Sequence, residues 1–119
     1  MTDKLILEKI EHTAKIIINN PSANTWDLES LSELEKMIAA LNKDDDIFSL
    51  VITGQGEKFF SAGADLKVFH EGGKEVAKEM SNAFSNAFGA LSKFRGVSIA
   101  AINGFAMGGG LECALACDI

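Results

Sequence analysis

The chain has 119 residues, of which 47% are apolar and 24% are charged, as in one ordinary globular domain. Eleven Lys and Arg residues against seventeen Asp and Glu residues give a formal net charge of −6. This acidic balance argues against nucleic acid or an anionic membrane as the main partner, because both bind through a cationic surface.

The first half of the chain predicts a hairpin, a helix and a strand. Alternating apolar residues predict strands over residues 4–10 and 13–19, and Pro21 ends the second strand. Residues 26–42 predict a helix whose apolar side carries Leu28, Leu31, Leu34, Met37, Ile38 and Leu41. Residues 47–53 are nearly all apolar and predict a strand of the kind that is typical of a sheet covered on both faces.

The second half continues the alternation of helices and strands. A helix is predicted over residues 74–93, a buried strand over 97–102 and a third helix over 108–117. This order predicts an α/β fold with parallel strand pairing. Asp118 and Ile119 predict the start of a further strand, so we expect residues 1–119 to be the N-terminal part of one longer domain.

Nothing in the sequence indicates export, membrane insertion or a metal site. No apolar run approaches the ~18 residues of a membrane span, and residues 1–4 lack the basic and apolar parts of a secretory signal. Cys113 and Cys117 lie four residues apart without a second pair or a nearby histidine, which suits neither zinc nor a disulfide framework. We expect free thiols, no metal and a cytoplasmic protein.

Two glycine-containing segments, residues 53–66 and 103–112, each follow a predicted strand. Neither matches a P-loop or a dinucleotide fingerprint. Both stand at strand ends, where open α/β sheets bind ligands. Their small residues would allow backbone N–H groups to approach a ligand.

Three consecutive glycines, Gly108, Gly109 and Gly110, open the third predicted helix. Each weakens a helix by ~1 kcal/mol relative to alanine, so local stability does not favour them. They suit N–H groups that face an anion at a helix N-terminus, or else a tight turn with close helix–strand packing. Glu112, in the first turn, either caps its own helix or works as an acid–base group.

Other polar and aromatic residues have more ordinary interpretations. We expect Asp65 to cap the helix that follows it rather than to take part in catalysis. Lys67 is either a solvated surface residue or a phosphate ligand. Phe84 and Phe88 are expected to face the core rather than a binding site.

Residues 102–112 resemble the signature of the enoyl-CoA hydratase/isomerase (crotonase) family, with the sequence INGFAMGGGLE. Residues 52–66 resemble that family's other active-site block, with the sequence ITGQGEKFFSAGADL. A looser match lies at residues 18–21 and at Asn24. The three blocks occur in the family's order and cover essentially the whole chain.

The resemblance implies a crotonase-type β-β-α superhelix built from crossed sheets, of which this chain would hold the part up to the helix after the glycines. It implies an acyl-CoA thioester as substrate, no cofactor, and assembly as a homotrimer or hexamer. Carried over by motif, the N–H groups of Ala64 and Gly109 would stabilise the thioester oxyanion, and Glu112 matches the family's first catalytic glutamate. The second glutamate of the family would lie beyond Ile119.

By the same resemblance, CoA would lie along residues 62–64, with Lys67 near its phosphates. The implied CoA-binding residues are Ala62, Gly63, Ala64, Asp65, Leu66, Lys67 and Gly108.

The reaction expected first is the addition of water to the 2,3-double bond of an enoyl-CoA. A double-bond isomerase is an alternative, but Glu112 argues against it, because family members that only isomerise tend to lack this glutamate. A non-catalytic acyl-CoA-binding module is the alternative from another functional class.

Overall fold

The computed structural model contains a four-stranded sheet and a two-stranded sheet. It describes residues 2–119, apart from the side chain of Phe69. The elements are β1 (Leu5–Ile10), β2 (Thr13–Ile18), α1 (Leu28–Asn42), β3 (Ser49–Gly54), β4 (Phe59–Ser61), α2 (Leu66–Ser92), β5 (Val97–Ala101), β6 (Phe105–Ala106) and α3 (Gly109–Ala116). Within the described residues, no helix combines the length and apolarity needed to cross a membrane.

The larger sheet has the strand order β1-β2-β3-β5. β1 and β2 form the predicted antiparallel hairpin, in which Leu7 pairs with Ile16. β3 pairs parallel with β2 on one side and with β5 on the other. The predicted α/β class with parallel pairing is therefore confirmed.

One hydrophobic cluster joins the sheet to α1 and α2. Its fully buried members include Ile16, Ile18, Leu34, Ile38, Leu50, Ile52 and Met80. The apolar stripe predicted for α1 is confirmed from Leu31 onward, whereas Leu28, the first residue of that helix, is 36% exposed.

The prediction that both faces of the parallel strands are buried is wrong for the described residues. Along β3, buried residues alternate with half-buried ones. In β5 only Ser98 is buried, and Val97 is 46% exposed. The core cluster covers one face of the sheet, so apolar side chains on the other face retain contact with solvent.

After α3, the backbone of Asp118 and Ile119 forms hydrogen bonds with β5. The Ala100 N–H donates to the Ile119 carbonyl (2.8 Å), and the Ile119 N–H donates to the Ser98 carbonyl (3.1 Å). This is the pairing expected where Asp118 and Ile119 begin to run beside β5.

α2 consists of two helical segments that meet at Gly73, whose φ of 71° lies in the left-handed region. The predicted helix over residues 74–93 corresponds to the second segment. Asp65 is the N-cap of the first segment, and its carboxylate accepts a hydrogen bond from the Lys67 N–H (3.1 Å). The expectation that Asp65 caps a helix is confirmed.

α1 begins at a capping box that is joined to the N-terminal segment. The Asp27 carboxylate accepts from the Ser30 N–H (2.9 Å), and the Ser30 hydroxyl accepts from the Asp27 N–H (3.0 Å). Lys4 Nζ lies 2.6 Å from the Asp27 carboxylate and 2.9 Å from that of Glu29. Burial of Asp27 opposes its ionisation, but the hydrogen bonds from Lys4 and Ser30 outweigh this and lower the pKa of Asp27.

The capping box predicts a pH dependence of stability. Because the folded pKa of Asp27 lies below its ordinary value of 3.8, its carboxylate stabilises the fold above that pH, and this contribution is lost as the pH falls through the folded pKa. We expect Asp27→Asn, which keeps a capping oxygen, to weaken the dependence of the unfolding free energy on pH between about pH 5 and pH 3. Urea unfolding at several pH values measures this slope.

The control for this measurement is Asp45→Asn, since Asp45 is exposed and has no ion pair among the described residues. This control should keep the wild-type slope. An unchanged slope in Asp27→Asn would contradict the assignment.

Candidate active site

The strand β4 and the segment that leads into α3 approach each other with their backbones almost in contact. β4 pairs parallel with β6, and the Met107 N–H donates to the Ser61 carbonyl (3.0 Å). A Cβ at Gly110 would overlap the Ser61 carbonyl, and one at Gly63 would lie 2.8 Å from the Gly109 nitrogen. Close helix–strand packing therefore explains Gly110. The sequence prediction missed β4 and β6, which are too short to show a periodicity.

The N–H of Ala64 is left free by the way its segment pairs with Trp26. The Trp26 N–H donates to the Gly63 carbonyl (2.7 Å), and the Asp65 N–H donates to the Trp26 carbonyl (3.0 Å). In such a parallel bridge, the N–H and C=O of the middle residue point away from the partner. The Ala64 N–H accordingly has no acceptor within residues 2–119.

The N–H of Gly109 is free because of its place in α3. Gly109 is the first helical residue, so its N–H has no partner in the preceding turn. The next N–H groups are used, since that of Gly110 donates to Met107 (2.8 Å) and that of Glu112 donates to Gly108 (3.0 Å). No acceptor in the described part of the chain takes the Gly109 N–H.

A cavity of about 790 Å³ brings Ala64, Gly109 and Glu112 together. Two distant stretches of the sequence thus contribute Ala64 and Gly109, whose backbone N–H groups are free, to the wall of a cavity that Glu112 also borders. The remaining wall consists of Ala116 from α3 and of six residues from α2, namely Ser81, Phe84, Ser85, Phe88, Gly89 and Ser92.

The Glu112 side chain has no hydrogen-bond partner in its own helix. It is the fourth residue of α3, it is exposed, and α3 has no side-chain hydrogen bond at its N-terminus. The capping alternative for Glu112 is therefore wrong. An unbonded carboxylate at the wall of a cavity is available for proton transfer.

A second cavity of about 450 Å³ shares Ala64 and Gly109 with the first. Its wall contains six of the seven residues predicted for CoA, namely Ala62, Ala64, Asp65, Leu66, Lys67 and Gly108. The seventh, Gly63, is buried behind the wall with φ of 101° and faces the Gly109 nitrogen. Lys67 is exposed at this wall. The binding of CoA by this set stays a prediction.

Two aromatic residues have a second role that the sequence pattern did not predict. Phe88 belongs to the core, as expected, and packs edge-on against Trp26 with ring centroids 5.5 Å apart. Phe84 is half-buried, and both rings also border the cavity. Small residues at helical spacing beside them, at Ser81, Ser85 and Gly89, were the available signal for a cavity wall.

Two buried or half-buried asparagines hold the loop that leads into β4. Asn24 and Asn103 donate to the Phe59 carbonyl from their side-chain amides, at 3.0 and 3.2 Å. Asn103 also accepts from the Gly54 N–H (3.0 Å). These amides, for which the sequence predicted no role, fix the start of β4 and hence the position of Ala64.

The two cysteines are free thiols. Burial raises the pKa of the Cys113 thiol well above its ordinary value and that of Cys117 to about 11. Both thiols are therefore protonated and unreactive at neutral pH. Within residues 2–119, no three His, Cys, Asp or Glu side chains are grouped so that they could hold a metal ion.

Comparison with known proteins identifies the family. The sequence profile of the family described as enoyl-CoA hydratase/isomerase matches residues 8–119. The chain belongs to this family. A crotonyl-CoA hydratase from Syntrophomonas wolfei is 38% identical over 98% of this chain and 45% of its own length. A short-chain-enoyl-CoA hydratase from Clostridium acetobutylicum is 36% identical over 98% of this chain and 45% of its own length.

Solved structures share the fold. Pseudomonas aeruginosa DspI is 66% identical, with a TM-score of 0.97 over 99% of this chain and 48% of that one. An enoyl-CoA hydratase from Bacillus anthracis is 33% identical, with a TM-score of 0.95 over 98% of this chain and 46% of that one. The crotonase-type fold is thus confirmed. The chain spans about half the length of the curated relatives it matches.

The close approach at Gly110 predicts a large effect of one added methyl group. Gly110→Ala should lower the unfolding free energy by about 1–3 kcal/mol, because its Cβ can be accommodated only if the backbone of β4 moves. The matched control is Gly89→Ala, where a Cβ meets nothing within 4 Å. That variant should be more stable by up to about 1 kcal/mol, since alanine favours a helix over glycine. Denaturant unfolding measures both, and equal effects would contradict the packing argument.

Proposed function

We propose that the complete protein is an enoyl-CoA hydratase, which adds water across the 2,3-double bond of an enoyl-CoA thioester. The observation that carries this proposal is a cavity lined by Ala64, Gly109 and Glu112, in which the two backbone N–H groups and the carboxylate have no hydrogen-bond partner among the described residues. The names of the relatives from Syntrophomonas wolfei and Clostridium acetobutylicum, both hydratases, support it.

The two N–H groups would stabilise the charge that forms on the thioester oxygen. When water attacks C3, the electrons of the double bond move toward the carbonyl, and its oxygen gains negative charge. The Gly109 donor lies at the N-terminus of α3, where the helix dipole also favours an anion. Donors held by the backbone need no reorganisation during the reaction, and the loss of one typically costs about 2.7–4 kcal/mol of transition-state stabilisation.

Glu112 would handle the protons of the attacking water. The carboxylate accepts one proton as the oxygen of water bonds to C3, and it returns that proton to C2 as the enolate collapses, which regenerates the carboxylate. Water is added as OH and H, so no oxidant or reductant is consumed. We therefore propose that the reaction uses no redox cofactor.

The smaller cavity would take the CoA part of the substrate. Its wall shares Ala64 and Gly109 with the larger cavity, so one ligand can occupy both. Lys67 supplies a positive charge at this wall, which suits a phosphate group.

We also propose that the complete protein forms homotrimers or hexamers in the cytoplasm. Family membership supports the assembly, and the free thiols of Cys113 and Cys117 suit a reducing compartment. Sedimentation of the complete protein tests the oligomeric state.

The role of Glu112 predicts a selective loss of turnover. In the complete protein, Glu112→Gln should lower kcat for crotonyl-CoA hydration by roughly 10²–10⁴-fold, because it removes the acid–base group. Its affinity for butyryl-CoA, which cannot be hydrated, should stay within about threefold. Loss of the absorbance of the conjugated thioester measures the rate.

Glu75→Gln is the matched control, because Glu75 is exposed on α2 away from both cavities. This control should keep the wild-type rate. If Glu112→Gln keeps it too, the assignment of Glu112 is wrong. A wild-type protein that moves the double bond of a 3-enoyl-CoA but does not hydrate crotonyl-CoA would instead be an isomerase.

The role of the Gly109 N–H as an oxyanion donor is tested with a variant that lacks this N–H. Gly109→Pro deletes the N–H at the first helical position, where proline is well tolerated. Gly109→Ala adds a Cβ at the same place, 2.8 Å from Cε1 of Phe84, but keeps the N–H. We expect kcat of the proline variant to be roughly 10²–10³-fold below that of the alanine variant. Steady-state kinetics on folded protein decide this, and similar rates would rule out the donor.

A further inference from the structure

Gly89 is a glycine that neither its conformation nor its packing requires. Its φ lies outside the left-handed region, and among the described residues a Cβ built on it would meet no heavy atom within 4 Å. It differs in this from Gly63 and Gly110, where a side chain would meet backbone. A glycine weakens a helix relative to alanine, so α2 loses stability here without a local reason. Gly89 lies in the wall of the larger cavity, and the absence of a side chain there leaves open space.

The separation of Gly89 from the end of the cavity that holds Gly109 can be estimated along α2. Phe84 marks that end, since a Cβ at Gly109 would lie 2.8 Å from its ring. Gly89 lies five residues further on, which at 1.5 Å per residue is about 7.5 Å along the helix axis. An extended chain advances roughly 1.1–1.2 Å per bond, because three backbone bonds span at most ~3.3–3.6 Å. An acyl chain that starts beside Phe84 and runs along α2 would therefore reach the level of Gly89 after about six bonds.

The backbone carbonyl of Gly89 is already hydrogen-bonded, so an apolar chain beside it would leave this group paired. The carbonyl of Gly89, which has no side chain to cover it, accepts hydrogen bonds from the Ser92 hydroxyl (2.9 Å) and from the Lys93 N–H (3.2 Å). The Ser92 hydroxyl is thereby turned to the backbone. Ala116 adds a small apolar side chain to the same wall.

We infer that Gly89 is a specificity-determining residue, whose missing side chain leaves a passage for acyl chains of eight or more carbons. The inference rests on the proposed function, because it takes the thioester to lie at Ala64 and Gly109. A butyryl chain has three bonds beyond the thioester carbon and ends before Gly89. A decanoyl chain has nine and passes it.

The test compares the affinities of the complete protein for butyryl-CoA and decanoyl-CoA, two saturated thioesters that cannot be hydrated. Burial of one methylene is worth about a fourfold gain in affinity. With six additional methylenes, partly buried, we expect wild-type protein to bind decanoyl-CoA at least tenfold more tightly than butyryl-CoA. Calorimetric titration gives both dissociation constants.

Two variants of Gly89 and one matched control are titrated in the same way. Gly89→Leu should bring the ratio of the two affinities close to one, and Gly89→Ala should lower it in part. Asn86→Leu adds the same side chain to α2 on the side that faces the groove toward α1, and it should keep the wild-type ratio. Leucine and alanine both favour a helix over glycine, so the Gly89 variants are expected to fold.

The outcomes separate this inference from the proposed function. Wild-type protein that shows the ratio but hydrates no enoyl-CoA would refute the proposed reaction and support the passage at Gly89. A wild-type ratio near one, or an undiminished ratio in Gly89→Leu, would overturn the inference. If Gly89→Leu does not fold, an undiminished ratio in Gly89→Ala would overturn it.

Discussion

The contact between the backbone of residues 61–63 and that of residues 107–110 is the constraint on which the candidate site depends. Hydrogen bonding of β4 to β6 brings the two segments together, and the absence of side chains at Gly63 and Gly110 lets them come close. Because the segments lie more than forty residues apart in sequence, only this contact places the N–H groups of Ala64 and Gly109 at one cavity. A methyl group added at the contact would separate the donors as well as strain the fold.

Local stability is given up at several points around the cavity. Consecutive glycines at the start of α3 weaken that helix, and within residues 2–119 the N–H groups of Ala64 and Gly109 remain without an acceptor. Glu112 sits in the first turn of α3 without a cap bond. Departures from local preference that converge on one cavity are typical of functional sites, where the surrounding structure supplies the lost stability. Here that support includes the amides of Asn24 and Asn103, which hold the loop before β4.

α2 serves both the core and the cavity. Met80, Phe88 and Leu91 lie in the hydrophobic cluster, while Phe84 and the small residues beside it border the cavity. A single helix can do both because its residues face all directions around the axis, so that one stripe packs inward and the adjacent stripe lines the opening. Residues of the boundary, such as Phe88, belong to both surfaces. The size of the side chains on the second stripe then sets the space left for a ligand.

The sequence by itself determined the order of the longer helices and strands, the core stripe of α1 from Leu31 onward, the hairpin, the cap at Asp65 and the family resemblance. These follow from patterns among residues close together in the chain, or from motifs matched as a unit. Only the tertiary structure decided that Glu112 faces a cavity rather than caps its helix, that Gly63 lies behind the wall, and that Phe84 borders the site. Apolar periodicity shows which side of an element is buried but not which element covers it, and contacts between distant backbones leave no periodic pattern. For that reason the glycines of one chain, alike in sequence, have different roles that only their neighbours in space reveal.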